Sequence, residues 1–311
     1  MTKYSQVRAG KLPKPTLGDQ VKGNGTMIRY ERGTELEIST IYQAFQRGFA
    51  DYIIQFNLTE AEFADRFFGP EGNAREHSFV ALDGEEPVGV VLGGNKVYES
   101  VPTMRCGALA VSPEYRGKGV SAGLMDLHRE EALQTGCKQL FLEVIAGNDR
   151  AIAFYLKRGY RRIYDVSFYT LPDASRLEAP PGASAGEGVE RIEFEEFAEM
   201  VSGWKYFHIN WQNDLEYQRL SPSNAYYGIR ADGEWAGGLS ISSSGKINLL
   251  IVHNRHRGKG IGTRLLTAAR EELGFVKFTI STPDNALLEG FLDRHGFVRD
   301  KIRLHEMYLR L

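Results

Sequence analysis

The sequence predicts an α+β chain made of two similar domains in tandem. Three observations carry that expectation. First, Arg116-Gly-Lys-Gly-Val-Ser returns later as Arg257-Gly-Lys-Gly-Ile-Gly. Second, the apolar residues around both loops keep one common offset, and each loop is flanked by the same order of strand-like and helix-like patterns. Third, a stretch rich in Pro, Gly and Ser separates the copies. Two units of well over a hundred residues each describe a duplicated domain, because the periods of solenoid repeats are shorter.

The elements follow in chain order. Residues 1–26 are polar, with Lys3, Arg8, Lys11, Lys14 and Lys22, and are expected to form a flexible extension. The first domain is expected over 27–171. Thr59 and Glu62 have the spacing of a helix capping box. Phe45, Phe49, Tyr52, Phe56, Phe63 and Phe67 suit either a core or a pocket wall. The run CGALAV, ending at Val111, reads as a buried strand leading into the glycines. Val120, Leu124 and Leu127 then mark one face of a helix, answered by Ile261, Leu265 and Ala268. QLFLEVI and its counterpart VKFTI read as the next buried strands. A short helix opens at Asn148 or Asn285. It closes at Gly159 or Gly296, which serves as a C-cap before a final strand. Residues 172–188, with Pro180 and Pro181, are expected to be a linker, and 189–311 a second domain.

Composition narrows the function. The chain has 311 residues, enough for two cores. Its formal net charge of -2 gives no basic field for nucleic acid. No apolar run approaches the ~18 residues that suggest a membrane span, and the start lacks a secretory signal pattern. The two cysteines, Cys106 and Cys137, are too few for a disulfide framework. A cytoplasmic protein is expected, with no nucleic-acid or membrane partner and no metal.

The glycine loops are the strongest chemical signal. Each follows a strand and opens a helix, so backbone N–H groups and the positive end of the helix dipole converge on one spot. That arrangement suits a pyrophosphate. A plain surface turn is an alternative, stronger for one copy than for two. GKGVSA also satisfies the dinucleotide fingerprint, although each loop lies deep inside its half instead of in an opening β-α unit. The P-loop pattern fails for want of a Gly-Lys-Ser/Thr at the required spacing.

The pattern L-x-V-x-P-x-x-R-G-x-G, Leu109 to Gly119, resembles the coenzyme A motif of the GNAT (GCN5-related N-acetyltransferase) family. So does L-E-V-x-x-x-N-x-x-A-I-x-x-Y, Leu142 to Tyr155, followed by Gly159-Tyr160. The resemblance covers nearly all of 27–171 and, more weakly, 189–311. It implies in each domain a mixed, mostly antiparallel sheet flanked by helices, with two parallel strands that splay apart for acetyl-CoA. It implies that Arg116, Gly117, Lys118, Gly119, Val120 and Ser121 wrap the pyrophosphate. Ser121 stands where the family prefers Gly or Ala. Leu109, Ala110 and Val111 would bond to the pantetheine arm, and an N–H near Val111 would polarise the thioester oxygen. Asn148 would contact that arm or fix the adjacent loop. In the second domain, Arg257, Gly258, Lys259, Gly260, Ile261 and Gly262 match without departure.

Acyl transfer to an amine also needs proton handling. A lysine-like amine has a reference pKa of about 10.4 and must lose a proton before attack; the departing thiolate, reference about 8.5, must gain one. Glu143 interrupts an apolar strand, where a carboxylate is costly unless paired or solvated. It reads either as a strand-end surface charge or as a base. Tyr155 reads either as a half-buried aromatic or as an acid. Their joint pattern is similar to that of the ribosomal-protein alanine acetyltransferases, which implies base and acid roles. In the second domain Ile280 and Leu292 occupy those positions, so that copy is expected to bind coenzyme A without using it, unless a group such as His253 or His256 substitutes. The expected function is transfer of acetyl from acetyl-CoA to a primary amine of a small molecule or peptide. The alternatives are a coenzyme A-binding sensor or scaffold, and transfer to a thiol or hydroxyl.

Overall fold

The structure, a computed structural model, describes residues 21–23, 26–178, 188–204 and 207–311. The chain forms two compact units. The first comprises Met1–Ala64, Asn73–Lys96 and Met104–Lys138; the second comprises Asp65–Gly72, Val97–Thr103 and Gln139–Leu311. The sequence repeat and the compact units are therefore different partitions of the chain. The second unit takes in strands from both copies.

Elements of the first copy are β1 (Val21–Gly23), β2 (Thr26–Arg32), α1 (Ile38–Gly48), α2 (Glu60–Phe67), β3 (Ala74–Asp83), β4 (Glu86–Tyr98), β5 (Val101–Val111), α3 (Val120–Gln134), β6 (Gln139–Ile145), α4 (Asp149–Lys157) and β7 (Arg161–Leu171). Those of the second are β8 (Val189–Ile192), α5 (Phe194–Trp204), α6 (Leu215–Arg219), β9 (Asn224–Ala231), β10 (Glu234–Ser242), β11 (Lys246–Val252), α7 (Ile261–Leu273), β12 (Phe278–Pro283), α8 (Ala286–Arg294) and β13 (Val298–Arg310). Pairing of β1 with β2 begins ahead of Met27, where the sequence put the start of the fold. The rest of the expected extension, residues 1–20 and 24–25, lies outside the described residues.

In the first unit the strands run β1-β2-β3-β4-β5, with β2–β3 and β3–β4 antiparallel. Thr59 and Glu62 make the expected capping box at the start of α2: the Glu62 carboxylate accepts from the Thr59 N–H at 2.8 Å, and the Thr59 hydroxyl from the Glu62 N–H at 3.3 Å. The helix α3 packs on β3 and buries His128 completely, with no hydrogen-bond partner for either ring nitrogen. Burial pushes His128 down to about 4 from an ordinary 6.5, with Glu131 opposing and His77 adding to the shift. The unfolded chain therefore binds this proton first. His128 leaves stability intact above about pH 6.5 and erodes it as the pH falls toward 4. His128→Leu is expected to remove a loss of about 2 kcal/mol between pH 7 and pH 5. Urea unfolding of both chains at the two pH values measures this; equal pH dependence would refute it.

In the second unit the order is β6-β13-β7-β12-β11-β10-β9-β8. The last strand of the chain, β13, pairs antiparallel with both β6 and β7, and β7 pairs antiparallel with β12. The two copies thus exchange their final strands. The expected parallel, splayed pair is present here. β11 and β12 pair in parallel only at Lys246↔Thr279 and Ile247↔Ile280, then separate. Residues 172–178 of the expected linker are tied down: the Ala174 N–H donates to Val276 O at 2.8 Å, and Arg270 donates to Leu177 O at 2.7 Å. Residues 179–187 lie outside the described residues.

Candidate active site

Both glycine loops adopt one local geometry. In the first unit, β5 ends at Val111, a 3-10 turn covers Pro113–Tyr115, and Gly117 and Gly119 take φ of 76° and 88°. Those left-handed values favour glycine. The first helical bond of α3 runs from Gly123 N–H to Gly119 O at 3.0 Å, so the preceding amides at 120–122 have no acceptor within the helix. A Cβ built on Gly117 meets nothing within 4 Å, leaving the loop open to a ligand. In the second unit the same turn covers Asn254–His256, Gly258 and Gly260 have φ of 76° and 75°, and Arg264 N–H bonds Gly260 O at 3.0 Å. Unpaired amides at a helix N-terminus beside an open glycine loop suit a phosphate in either copy.

The second loop opens on a cavity of about 610 Å³. Gly258, Gly260 and Gly262 line it, with Ile280 from β12, Asn285 at the start of α8, and Asn210. His256 also lines it. Ile280 and Leu292 are buried and apolar, so neither exchanges a proton.

Glu143 is half-buried on β6 and Tyr155 is buried on α4. Both belong to the second unit. The register of β6 with β13 sets Glu143 opposite Glu306, which is fully buried. His208 accompanies Glu306: its Nε2 lies 2.5 Å from the Glu306 carboxylate and its Nδ1 lies 2.9 Å from Glu99. The ring stacks on Tyr164 at 3.8 Å. Burial alone would lower the imidazole, but the bonds to Glu306 and Glu99 outweigh it and hold His208 up at about 9. Lys246 is held below the usual ammonium range by burial, opposed by the charges of Glu143 and Glu71. Phe141, on the same face of β6 as Glu143, stacks on Trp211 at 5.3 Å.

A family model described as "Acetyltransferase (GNAT) family" matches residues 38–160, and one described as "Acetyltransferase (GNAT) domain" matches residues 188–310. The chain belongs to the GNAT acetyltransferases. Among curated proteins, this acetyltransferase is 31% identical over 119 residues to N-alpha-acetyltransferase 30 of Schizosaccharomyces pombe, a match covering 36% of this chain and 77% of that protein. It is 27% identical over 107 residues to the protein of the same name in Dictyostelium discoideum, covering 34% and 58%. Its fold is shared by a tandem GNAT protein from the clavulanic acid biosynthesis pathway, with a TM-score of 0.62, 20% identity, and 91% and 98% coverage. It is also shared by a GCN5-related N-acetyltransferase from Sphaerobacter thermophilus, with a TM-score of 0.61, 16% identity, and 91% and 95% coverage.

The acetyltransferase places the sequence-derived residues as follows. Leu109, Ala110, Val111 and 116–121 lie in the first unit; Glu143, Asn148, Tyr155 and 257–262 lie in the second. Asn148 caps α4, its Oδ1 accepting from the Ala151 N–H at 3.3 Å, and Asn285 caps α8 in the same way. Of the aromatics near α1, Phe45, Phe63 and Phe67 are core, while Phe49, Tyr52 and Phe56 are half-buried. His253 accepts from the Arg255 N–H at 3.4 Å. Sequence reasoning missed His208, Glu306 and Lys246. Glu306 gave no such signal as Glu143 did, because β13, VRDKIRLHEMYLR, is rich in charged residues and one more glutamate does not stand out in it.

Proposed function

We propose that the chain moves the acetyl group of acetyl-CoA to a primary amine by direct attack, with no covalent enzyme intermediate, and that the first copy supplies the catalytic groups. The observation that carries this reading is a contrast. The two copies share one loop geometry, yet a glutamate and a tyrosine in the first stand where an isoleucine and a leucine stand in the second. Acetyl-CoA supplies the activated thioester. The amides at 117–121 hold its pyrophosphate, and the strand at Leu109, Ala110 and Val111 aligns its pantetheine arm. Glu143 takes the proton of the acceptor ammonium, directly or through water, and the Tyr155 hydroxyl gives one to the departing sulfur. In the second copy, the cavity of about 610 Å³ beside residues 257–262 favours coenzyme A binding without turnover. The similarity to proteins named N-alpha-acetyltransferase 30 supports the free N-terminal amine of a peptide as acceptor.

A screen of acetyl-CoA consumption with unblocked peptides, amino acids, polyamines, amino sugars and thiols tests the acceptor. Consumption with thiols alone would overturn the amine assignment. Gly119→Val tests the loop. A β-branched residue at φ 88° is strained, and its side chain blocks the backbone's approach to a phosphate. In a chain that also carries Gly260→Val, calorimetry should detect no acetyl-CoA binding. Affinity equal to that of the unmodified chain would sink the loop assignment.

A further inference from the structure

The side chain of Arg116 faces the protein and not the open loop. Its Nε donates to Val111 O at 2.9 Å. Its Nη2 donates to Gly48 O at 3.1 Å and to Asp51 Oδ1 at 2.6 Å, and its Nη1 to Asp51 Oδ2 at 2.6 Å. Four of the five guanidinium donors are thus engaged, and the pair with Asp51 is bidentate, the geometry that fixes orientation most firmly. The guanidinium of Arg116 is therefore committed away from any pyrophosphate on this loop, and its backbone remains available.

These partners are informative in combination. Val111 O ends β5, beside the N–H to which the family resemblance assigns the thioester oxygen. Gly48 ends α1, which lies tight against the same peptide: a Cβ on Gly48 would fall 2.4 Å from the Ala110 Cβ and 2.9 Å from the Val111 nitrogen. Asp51 lies near the start of the segment 49–59. There the rings of Phe49, Tyr52 and Phe56 form a half-buried cluster, with Phe49 5.0 Å from Tyr52 and 5.2 Å from Phe56, next to an exposed Ile53. Ring faces and an exposed aliphatic side chain suit an apolar side chain on an acceptor. The second copy repeats the arginine bond to its strand end, Arg257 Nε to Val252 O at 3.3 Å.

We propose that Arg116 is a positioning residue that clamps the aromatic segment 49–59 to the cofactor strand through Asp51, so that acetyl-CoA on the first loop orders the surface that receives an apolar acceptor. The inference rests on acetyl-CoA binding at residues 116–121. The two ends of the clamp lie on different stretches of chain, so ordering the loop that carries Arg116 limits the motion of Asp51 and the residues after it. Breaking the carboxylate pair should uncouple the segment and leave the amides that bind phosphate in place.

Backbone hydrogen exchange of the full-length chain, with and without saturating acetyl-CoA, tests this. Protection at 117–121 reports that the first loop is occupied. With the loop occupied, exchange at 49–59 should slow by about five-fold or more, the size of an ordinary coupling between sites. In Asp51→Asn the loop should still be protected and the slowing at 49–59 should be lost; Asp51→Glu, which keeps the bidentate carboxylate, should restore it. An unblocked peptide with an apolar first residue should show a raised KM with Asp51→Asn and little change in acetyl-CoA affinity. Protection at 117–121 without slowing at 49–59 in the unmodified chain would overturn the clamp alone. Absence of any acetyl-CoA binding would overturn the functional reading, and the clamp with it.

Discussion

Replacing Glu143 with Gln and Tyr155 with Phe together is expected to lower kcat by about 100-fold or more while acetyl-CoA affinity changes little. A deprotonated amine and a protonated thiolate are required only on the way through the reaction, so losing the groups that move those protons should strike turnover and not binding. Glu143→Gln alone should also remove the limb of the pH–rate profile that rises with pH. The companion variant enlarges Gly260 and Gly262 in the second loop. It should keep most of the turnover and lose binding in the second cavity. Steady-state rates with calorimetry on both variants, and circular dichroism to show that both remain folded, decide the question. If the second variant is the inactive one, catalysis belongs to the other copy.

His208→Ala should cost about 3–5 kcal/mol of stability, the usual penalty for leaving one member of a buried ion pair alone. Glu306 is fully buried, and the imidazole is its cationic partner at 2.5 Å. The effect should depend on pH. His208 is held up at about 9 in the folded chain, against an ordinary 6.5. The folded state binds this proton more tightly than the unfolded state. Its contribution, about 3 kcal/mol, is fully present below pH 6.5 and lost as the pH rises toward 9. Denaturant unfolding at pH 6 and pH 9 should therefore show the gap between wild type and His208→Ala closing at the higher pH. His208→Gln keeps hydrogen-bonding groups without the charge and should flatten the same dependence. A gap that widened with pH would mean that the imidazole is neutral in the fold.

Local sequence signals carried much of this picture. The repeated strand–glycine–helix pattern located both loops, because left-handed glycines and an open helix N-terminus are properties of a few consecutive residues. The capping box at Thr59 was legible for the same reason, as were the helix-ending glycines Gly159 and Gly296, which take left-handed φ of 91° and 78° one residue past the C-caps Arg158 and His295. Glu143 and Tyr155 stood out because a carboxylate in an apolar strand and an aromatic at a set spacing are visible without a fold.

What sequence by itself determined, then, is the family, the duplication, the two phosphate-suited loops and the contrast between Glu143 with Tyr155 and Ile280 with Leu292. Tertiary structure alone decided the partners. It put β13 between β6 and β7, set Glu306 opposite Glu143, brought His208 between two carboxylates, and turned Arg116 from the loop toward Asp51 and Gly48. Periodicity tells which face of a strand is buried but not which strand lies beside it. Residues as far apart as His208 and Glu306 meet only when chain closure has made that choice, and no short window of sequence records it.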